Sequence, residues 1–460
     1  MTEAELGPRL RAAIKAGDAW AVRDLLRDGA DPNALDADGL PVLCLAVAAY
    51  DAPVAEALVD GGADPGHELP DGTTPLLRAV EGGSPATVEA VLGAAPLTRL
   101  PEADRAALLA LARTWYEEGA VAELRRRAGV RGPVTTVRVH DDAHGLHWVE
   151  RVSVGGAMAV RAGHGAVLTS LETSFGVRVP VDELVARAVG RFDEDQDEDH
   201  VDWWAACSAL ADRRGPGASW TWSAVTAHRH APDLAYRRFA ADYLWMRGVY
   251  DLGPEWEEKD CEVLVAWAAD ETDGAVLARL LDAYTEREHR DGVAVGLRYA
   301  DHPDPRVRRE VPYLLCAVRG ARTSGARDAV RTLLRDPDPG VRLAACVASA
   351  GDAGLRAENT GVLLGLLADA GAEPPSQAVE TLAVSPDRNP AVADALYAAL
   401  GAADPVVRLE AAYGLAMRDD RRTADAYARV EPLLGGSWPD HRVNALREWS
   451  RRRDAAGAAG

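Results

Sequence analysis

The sequence predicts an all-α protein: two tandem helical solenoids with a small β-hairpin insert between them. Three observations predict it. Motifs recur at an offset of 33 residues near the start of the chain. A second motif, Asp-Pro-x-Val-Arg, recurs at offsets of 34 and 66 residues in the second half. The chain has 460 residues, 48% of them hydrophobic, enough to bury the cores of two or more domains.

The first register runs through residues 1–129. Gly29-Ala30-Asp31-Pro32 returns as Gly62-Ala63-Asp64-Pro65, Asp38-Gly39 as Asp71-Gly72, and Leu43 and Ala46 as Leu76 and Ala79. Gly62 can take the left-handed conformation that ends a helix. Asp71-Gly72 supplies a tight turn. Thr74 then caps a helix whose first residue, Pro75, needs no amide donor. A second helix over "SPATVEAVLGA" puts Val88, Val91 and Leu92 on one face. Each helix pair leaves an apolar side that only a neighbouring pair can cover. The pattern Asp-x-x-Gly-x-Thr-Pro-Leu-x-x-Ala, followed by a helix ending in Gly-Ala-Asp, resembles the ankyrin repeat. The match is specific over residues 64–92 and good over 31–63, where Pro41 stands one position early. Residues 6–30 read as the helical part of an N-terminal repeat and 101–128 as a degenerate cap. The resemblance implies partner contacts at the turn tips, here Asp36, Asp38, Leu69 and Asp71.

The second register occupies 201–460. Asp304-Pro305-x-Val307-Arg308, Asp338-Pro339-x-Val341-Arg342 and Asp404-Pro405-x-Val407-Arg408 define it. The wide gap before Asp404 calls for a degenerate copy, which "EPPSQAVETLA" from Glu373 fits. Weaker copies start at Asp233, Asp273 and Asp440. Asp and Pro begin a helix, where the positive end of the helix dipole favours a carboxylate. Val and the following Ala and Leu form the buried stripe. This pattern resembles the bacterial HEAT repeat, which implies an α/α superhelix with a protein-binding face. The periodic Arg308, Arg342 and Arg408 are expected to pair with capping Asp residues of their own or adjacent repeats.

Residues 130–200 match neither register. "VTTVRVHDDAHGLHWVERVSV" reads as a β-hairpin, and "GHGAVLTSLETSFG" and "PVDELVARAVGRF" read as helices. His140, His144 and His147 are weak candidates for a metal site, set against a polar loop turned to water. The acidic run "FDEDQDEDHVD" lacks the Gly and Glu spacing of a calcium-binding hand, so Asp195 and Asp197 read as a linker or a contact for a basic partner. Seven of the 12 tryptophans fall between Trp203 and Trp267. Core packing accounts for most. Trp204 and Trp222, beside the acidic run and a Gly/Pro-rich loop, are the candidates for a partner groove.

The formal charge of −21 disfavours nucleic acid and anionic membrane and favours a partner with a basic patch. The start "MTEAELGPRL" has no basic segment followed by an apolar core, and no run suits a membrane helix. The five scattered cysteines read as reduced thiols, which points to the cytoplasm. Only two residues are lysine, Lys15 and Lys259, so basic charge is almost all Arg, a bias like that of GC-rich actinobacterial genomes. No Walker, Gly-x-Gly-x-x-Gly or Gly-x-Ser-x-Gly motif is present, so no catalytic residue and no cofactor is expected. These features together point to a non-enzymatic scaffold or adaptor binding a partner protein. The alternatives are an inhibitor or immunity protein that neutralises a basic toxin, and a HEAT-like base glycosylase.

Overall fold

The computed structural model describes all residues except 1–2, 95, 130–131, 142–146, 156–157, 191–199, 251, 288, 317–322, 371–373, 432–439 and 459–460. Among the described residues the chain is helical apart from one small antiparallel sheet. It divides into two compact units, residues 1–250 and 251–460.

The first unit begins with three helix pairs: α1 (Glu3–Lys15) and α2 (Ala19–Arg27), α3 (Leu43–Ala49) and α4 (Ala52–Asp60), α5 (Pro75–Gly82) and α6 (Pro85–Leu92). First helices stack on first helices and second on second. Leu10, Val22, Val42, Val54, Leu58, Val80, Val88 and Val91 are fully buried between them. Asp18, Asp51, Thr74 and Ser84 each cap a helix by accepting from a first-turn amide. The early Pro41 has a structural result: α3 starts at Leu43 with no side-chain cap, whereas α5 starts on Pro75 with Thr74 capping it. Successive turns are tied by Asn33, which donates to the Gly62 carbonyl at 3.2 Å and accepts from Asp64 N at 2.8 Å.

Next come the short α7 (Pro96–Arg99), α8 (Glu102–Glu118), α9 (Ala120–Ala128), β1 (Val134–His140), β2 (Trp148–Val154), β3 (Met158–Arg161) and α10 (His164–Ser174). The strands pair in the order β1-β2-β3, with His140 opposite Trp148 and Val152 opposite Val160. The hairpin is the one the alternation predicts. The third strand lies in a Gly-rich stretch, "GGAMAVRAGHG", which hides its short β-pattern. The fourth helix pair is split. α8 packs on α5 in the first-helix row, and α10 packs on α6 in the second-helix row and against α8. α9 instead lies on β2 and β3, where Trp115, Leu124, Val152, Val154 and Val160 make a separate small core.

One turn holds this insertion. Gly83, with φ of +70°, follows α5, and its carbonyl accepts from Gly163 N at 3.1 Å. The neighbouring Glu81 carbonyl accepts from His164 Nε2 at 3.2 Å, which fixes that proton on Nε2. The His164 ring stacks flat on Trp115, with centroids 4.6 Å apart. Asp141, at the end of β1, receives Ala86 N at 3.0 Å and Arg161 at 2.6 Å, so it caps α6 from a distance. Behind α10, Arg187 and Glu172 form a buried ion pair at 2.6 Å, with Thr169 and Arg113 completing it. Arg187 belongs to α11 (Val181–Val189). The unit ends with α12 (Val201–Ala211), α13 (Ala218–Ala227) and α14 (Leu234–Val249). α12 packs on α10, α11 and α14.

Among the described residues the second unit forms six helix pairs. They are α15 (Pro254–Asp270) and α16 (Gly274–Thr285), α17 (Gly292–Tyr299) and α18 (Pro305–Cys316), and α19 (Ser324–Leu333) and α20 (Pro339–Ala348). Then follow α21 (Arg356–Ala370) and α22 (Ser376–Val384), α23 (Pro390–Ala399) and α24 (Pro405–Ala416), and α25 (Thr423–Val430) and α26 (His441–Ala458). The even-numbered helices stack in one continuous row. Asp273, Asp304, Asp338, Asp404 and Asp440 stand immediately before helices of this row, and each carboxylate accepts a first-turn amide. Asp233 does the same for α14 in the first unit. The degenerate copy is α22, entered through Pro375 with no side-chain cap.

The periodic arginines do something other than pair with the caps. Arg308 donates to the carbonyls of His302 and Pro303, Arg342 to those of Asp336 and Pro337, and Arg408 to those of Ala402 and Ala403. Each reaches back over its own turn and satisfies carbonyls of that turn, beyond the end of the preceding helix. Arg308 also forks onto Asp336 of the next repeat at 2.7 and 2.8 Å, the pairing expected between adjacent repeats, though not with its cap.

A methyl group at residue 83 would sit 2.0 Å from the Arg161 carbonyl oxygen and 2.4 Å from His164 Cε1, at a φ that side chains resist. Gly83→Ala is therefore expected to destabilise the first unit by at least about 3 kcal/mol. Urea unfolding followed by the near-ultraviolet signal of the buried tryptophans measures it.

Candidate partner-binding surfaces

The turn tips are built by self-bonded aspartates. Asp36 Oδ1 accepts from the amides of Asp38 and Leu40, closing the tip between the first two pairs. Asp71 accepts from Thr73 N and Oγ1 and pairs with Arg78 at 2.8 Å. Those bonds from Thr73, with a smaller contribution from Arg78, hold the Asp71 carboxyl down to about 2. It therefore stays ionised at any physiological pH. Asp38 and Asp71 are exposed, and Asp36 is half-buried. Leu69 differs: it is 3% exposed and lies under its turn, so it supports the tip and offers no surface.

The tryptophans sort by burial. Trp203 donates to Asp242 at 2.9 Å and meets Phe239 edge-on. Trp204 is 9% exposed, packed against Trp245 with His147 nearby. Adjacent helix positions point apart, yet both rings are buried because α12 is covered on more than one side by α10, α11 and α14. Trp222 is half-buried. The open ring is Trp220, 59% exposed, which the sequence reading passed over. Proximity to the acidic run was the wrong signal; the face of α13 decides exposure.

Asp195, Asp197 and His144 lie outside the described residues. His140 is exposed on β1, His147 is half-buried beside Trp204, and Asp141 is taken up by Ala86 N and Arg161. Among the described residues no group of three His, Cys, Asp or Glu side chains is placed to hold a metal. Cys44, Cys207, Cys261 and Cys346 are buried free thiols. Burial pushes Cys261 up to about 11 and Cys346 to about 12, which keeps both as unreactive thiols.

The second unit has a surface that the sequence reading missed. The position nine residues after each cap is half-buried: Asp282, Tyr313, Val347 and Tyr413 follow Asp273, Asp304, Asp338 and Asp404. Val384 holds the same place on α22 and is 57% exposed. At one end of this stripe Glu310 on α18 faces Asp282 on α16. Burial first, then repulsion from Asp282, pushes the Glu310 carboxyl up to about 8, against the pull of Arg279 and Arg309. The fixed offset from each Asp-Pro anchor was the signal that could have found these residues.

Residues 10–99 match the protein family described as ankyrin repeats (3 copies). Residues 10–99 are ankyrin repeats. The match spans the three helix pairs and stops at α7, just before the split fourth pair. An X-ray structure of the E. coli protein YibA is similar at 15% identity and a TM-score of 0.41, covering 60% of this chain and 93% of that one. No curated protein matches the chain. Among the described residues no helix is long and apolar enough to cross a membrane.

Glu310 gives a test of the second unit. Its folded pKa lies above the ordinary carboxyl value, so the folded state holds the proton more tightly than the unfolded chain. That contribution is present below about 4.5 and is lost as pH rises toward about 8. Glu310→Gln should match the parent protein at pH 4 and exceed it at pH 9 by more than about 1 kcal/mol. Urea titrations at the two pH values measure the difference.

Proposed function

We propose that the chain is a non-enzymatic scaffold whose ankyrin turn tips bind a partner protein through a basic patch. Ankyrin repeats are, as a class, protein-interaction modules, and they supply rigid, pre-ordered tips that lose little entropy on binding. The observation that carries the reading is the row of tip carboxylates, Asp36, Asp38 and Asp71, with Asp71 held ionised. The net charge of −21 acts in the same direction, drawing cationic surfaces toward the chain. In this reading the second unit is a HEAT-like array with a binding surface of its own, and the protein works in the cytoplasm. A glycosylase would need cationic groups facing a phosphate backbone. Arg308, Arg342 and Arg408 are instead engaged by turn carbonyls, so these three do not serve that role.

Affinity capture from the native host, followed by kinetics with the captured partner, tests the proposal. The association rate should fall steeply with added salt. Replacing Asp36, Asp38 and Asp71 together by Asn keeps the turn bonds and removes the charge; it should slow association about tenfold at low ionic strength. A rate indifferent to salt and to the triple substitution overturns the tip reading.

A further inference from the structure

The split fourth pair creates a cleft on the second-helix row of the first unit, away from the turn tips. It is an open cavity of about 260 Å³ where α6, α10 and α12 meet Tyr250. Glu89, Ser170, Thr173, Ser208, Asp212 and Tyr250 give it its polar character. It is smaller than the roughly 300–1,000 Å³ clefts that take drug-sized molecules, and it suits a single long side chain.

The hydrogen bonding inside it is one-sided. Ser170 donates its proton to Glu89 at 3.0 Å. Thr173 donates to the Thr169 carbonyl at 2.8 Å. One of the Ser208 and Tyr250 hydroxyls donates to the other at 2.9 Å, and the acceptor keeps a proton of its own. The Ser170 and Thr173 protons are thus spent inside the wall, which leaves both oxygens as acceptors. Asp212 has Arg214 at 3.4 Å at the exposed rim. Glu89 has no ion-pair partner among the described residues. Its carboxyl reaches the cleft mouth, yet surrounding protein thins its hydration. That desolvation, with Asp141 nearby, raises it above the usual carboxylate range despite the Ser170 bond and the pull of His147. Acceptor oxygens around a carboxylate without an ion-pair partner among the described residues ask for a ligand that is cationic and rich in donors.

We infer that this cleft receives an arginine side chain of the partner protein, its guanidinium bonded to Glu89 and to the hydroxyls of α10 and α12. The inference rests on the partner-binding reading and gives it a second anchor, built from residues other than those of the tips. Guanidinium, with five donors in a rigid fork and no acceptor, matches a site that offers acceptors on several walls. The site belongs to the split pair: α10 supplies the hydroxyls, and the small Ala205 and Ala209 of α12 leave the space.

The experiment is amide-detected NMR on the full chain, titrated with N-acetyl-arginine methylamide and with its neutral isostere, N-acetyl-citrulline methylamide. The arginine probe should shift the amides of Ser170, Thr173 and Ser208 saturably, and the citrulline probe should bind at least tenfold more weakly. Glu89→Gln, which keeps an acceptor for Ser170, should weaken the arginine probe at least tenfold. Ala209→Leu, which fills the cleft and leaves the carboxylate, should abolish the shifts. Equal binding of the two probes, undiminished binding to Glu89→Gln or Ala209→Leu, or no shift on α10 and α12 overturns the inference. None of these results depends on the tip aspartates, so failure here leaves the salt-dependent tip kinetics to stand or fall separately.

Discussion

A pair of short helices cannot close its own core, and this constraint organises both units. Each pair exposes one apolar side, and stability comes from the next pair covering it. The ankyrin part meets the requirement three times with nearly identical material, burying Val22, Val54 and Val88 at successive second helices. At the fourth layer the chain keeps the packing and abandons the connectivity. α8 and α10 occupy the places of a helix pair, while α9 and a sheet are threaded between them. The open face of α5 and α6 is thereby covered by elements that no repeat consensus describes.

Polar chemistry fixes where the pairs begin and how they turn. In the second unit a carboxylate before each of five even-numbered helices takes a first-turn amide, and an arginine four residues after three of those caps returns to the carbonyls just before it. One short motif therefore satisfies both the donors that open a helix and carbonyls of the turn that leads into it. That is why Asp-Pro-x-Val-Arg survives as a readable pattern while the surrounding apolar residues vary. The arginine is structural cement facing its own turn, and its charge is little available to a partner.

Much of this was legible in the residues. The tandem helical architecture, the hairpin from Val134 to Val154 and the Asp233, Asp273 and Asp440 starts all follow from local rules that act within a few residues. The binding surfaces were less legible, because exposure is decided by what packs from elsewhere. Leu69 sits at a tip position and is buried by its own turn. Trp204 is covered from α14, and Trp220 on the next helix, α13, is not. The strand Met158–Arg161 is short and Gly-flanked, so its pairing is stated only by β2. The cleft beside Glu89 needs α10, eighty residues further along, to exist at all.

The threaded fourth layer also sets an order of assembly. The three ankyrin pairs close through loops of a few residues, so their contacts form at small entropic cost as soon as each pair is present. The meeting of α8 with α10 must wait for residues 119–163 between them, and for β2 and β3 to give α9 a place to lie. Until then α5 and α6 present a bare apolar flank. During synthesis on the ribosome that flank is uncovered for the time needed to add the hairpin and α10, and an uncovered apolar flank of this kind is open to association with other chains.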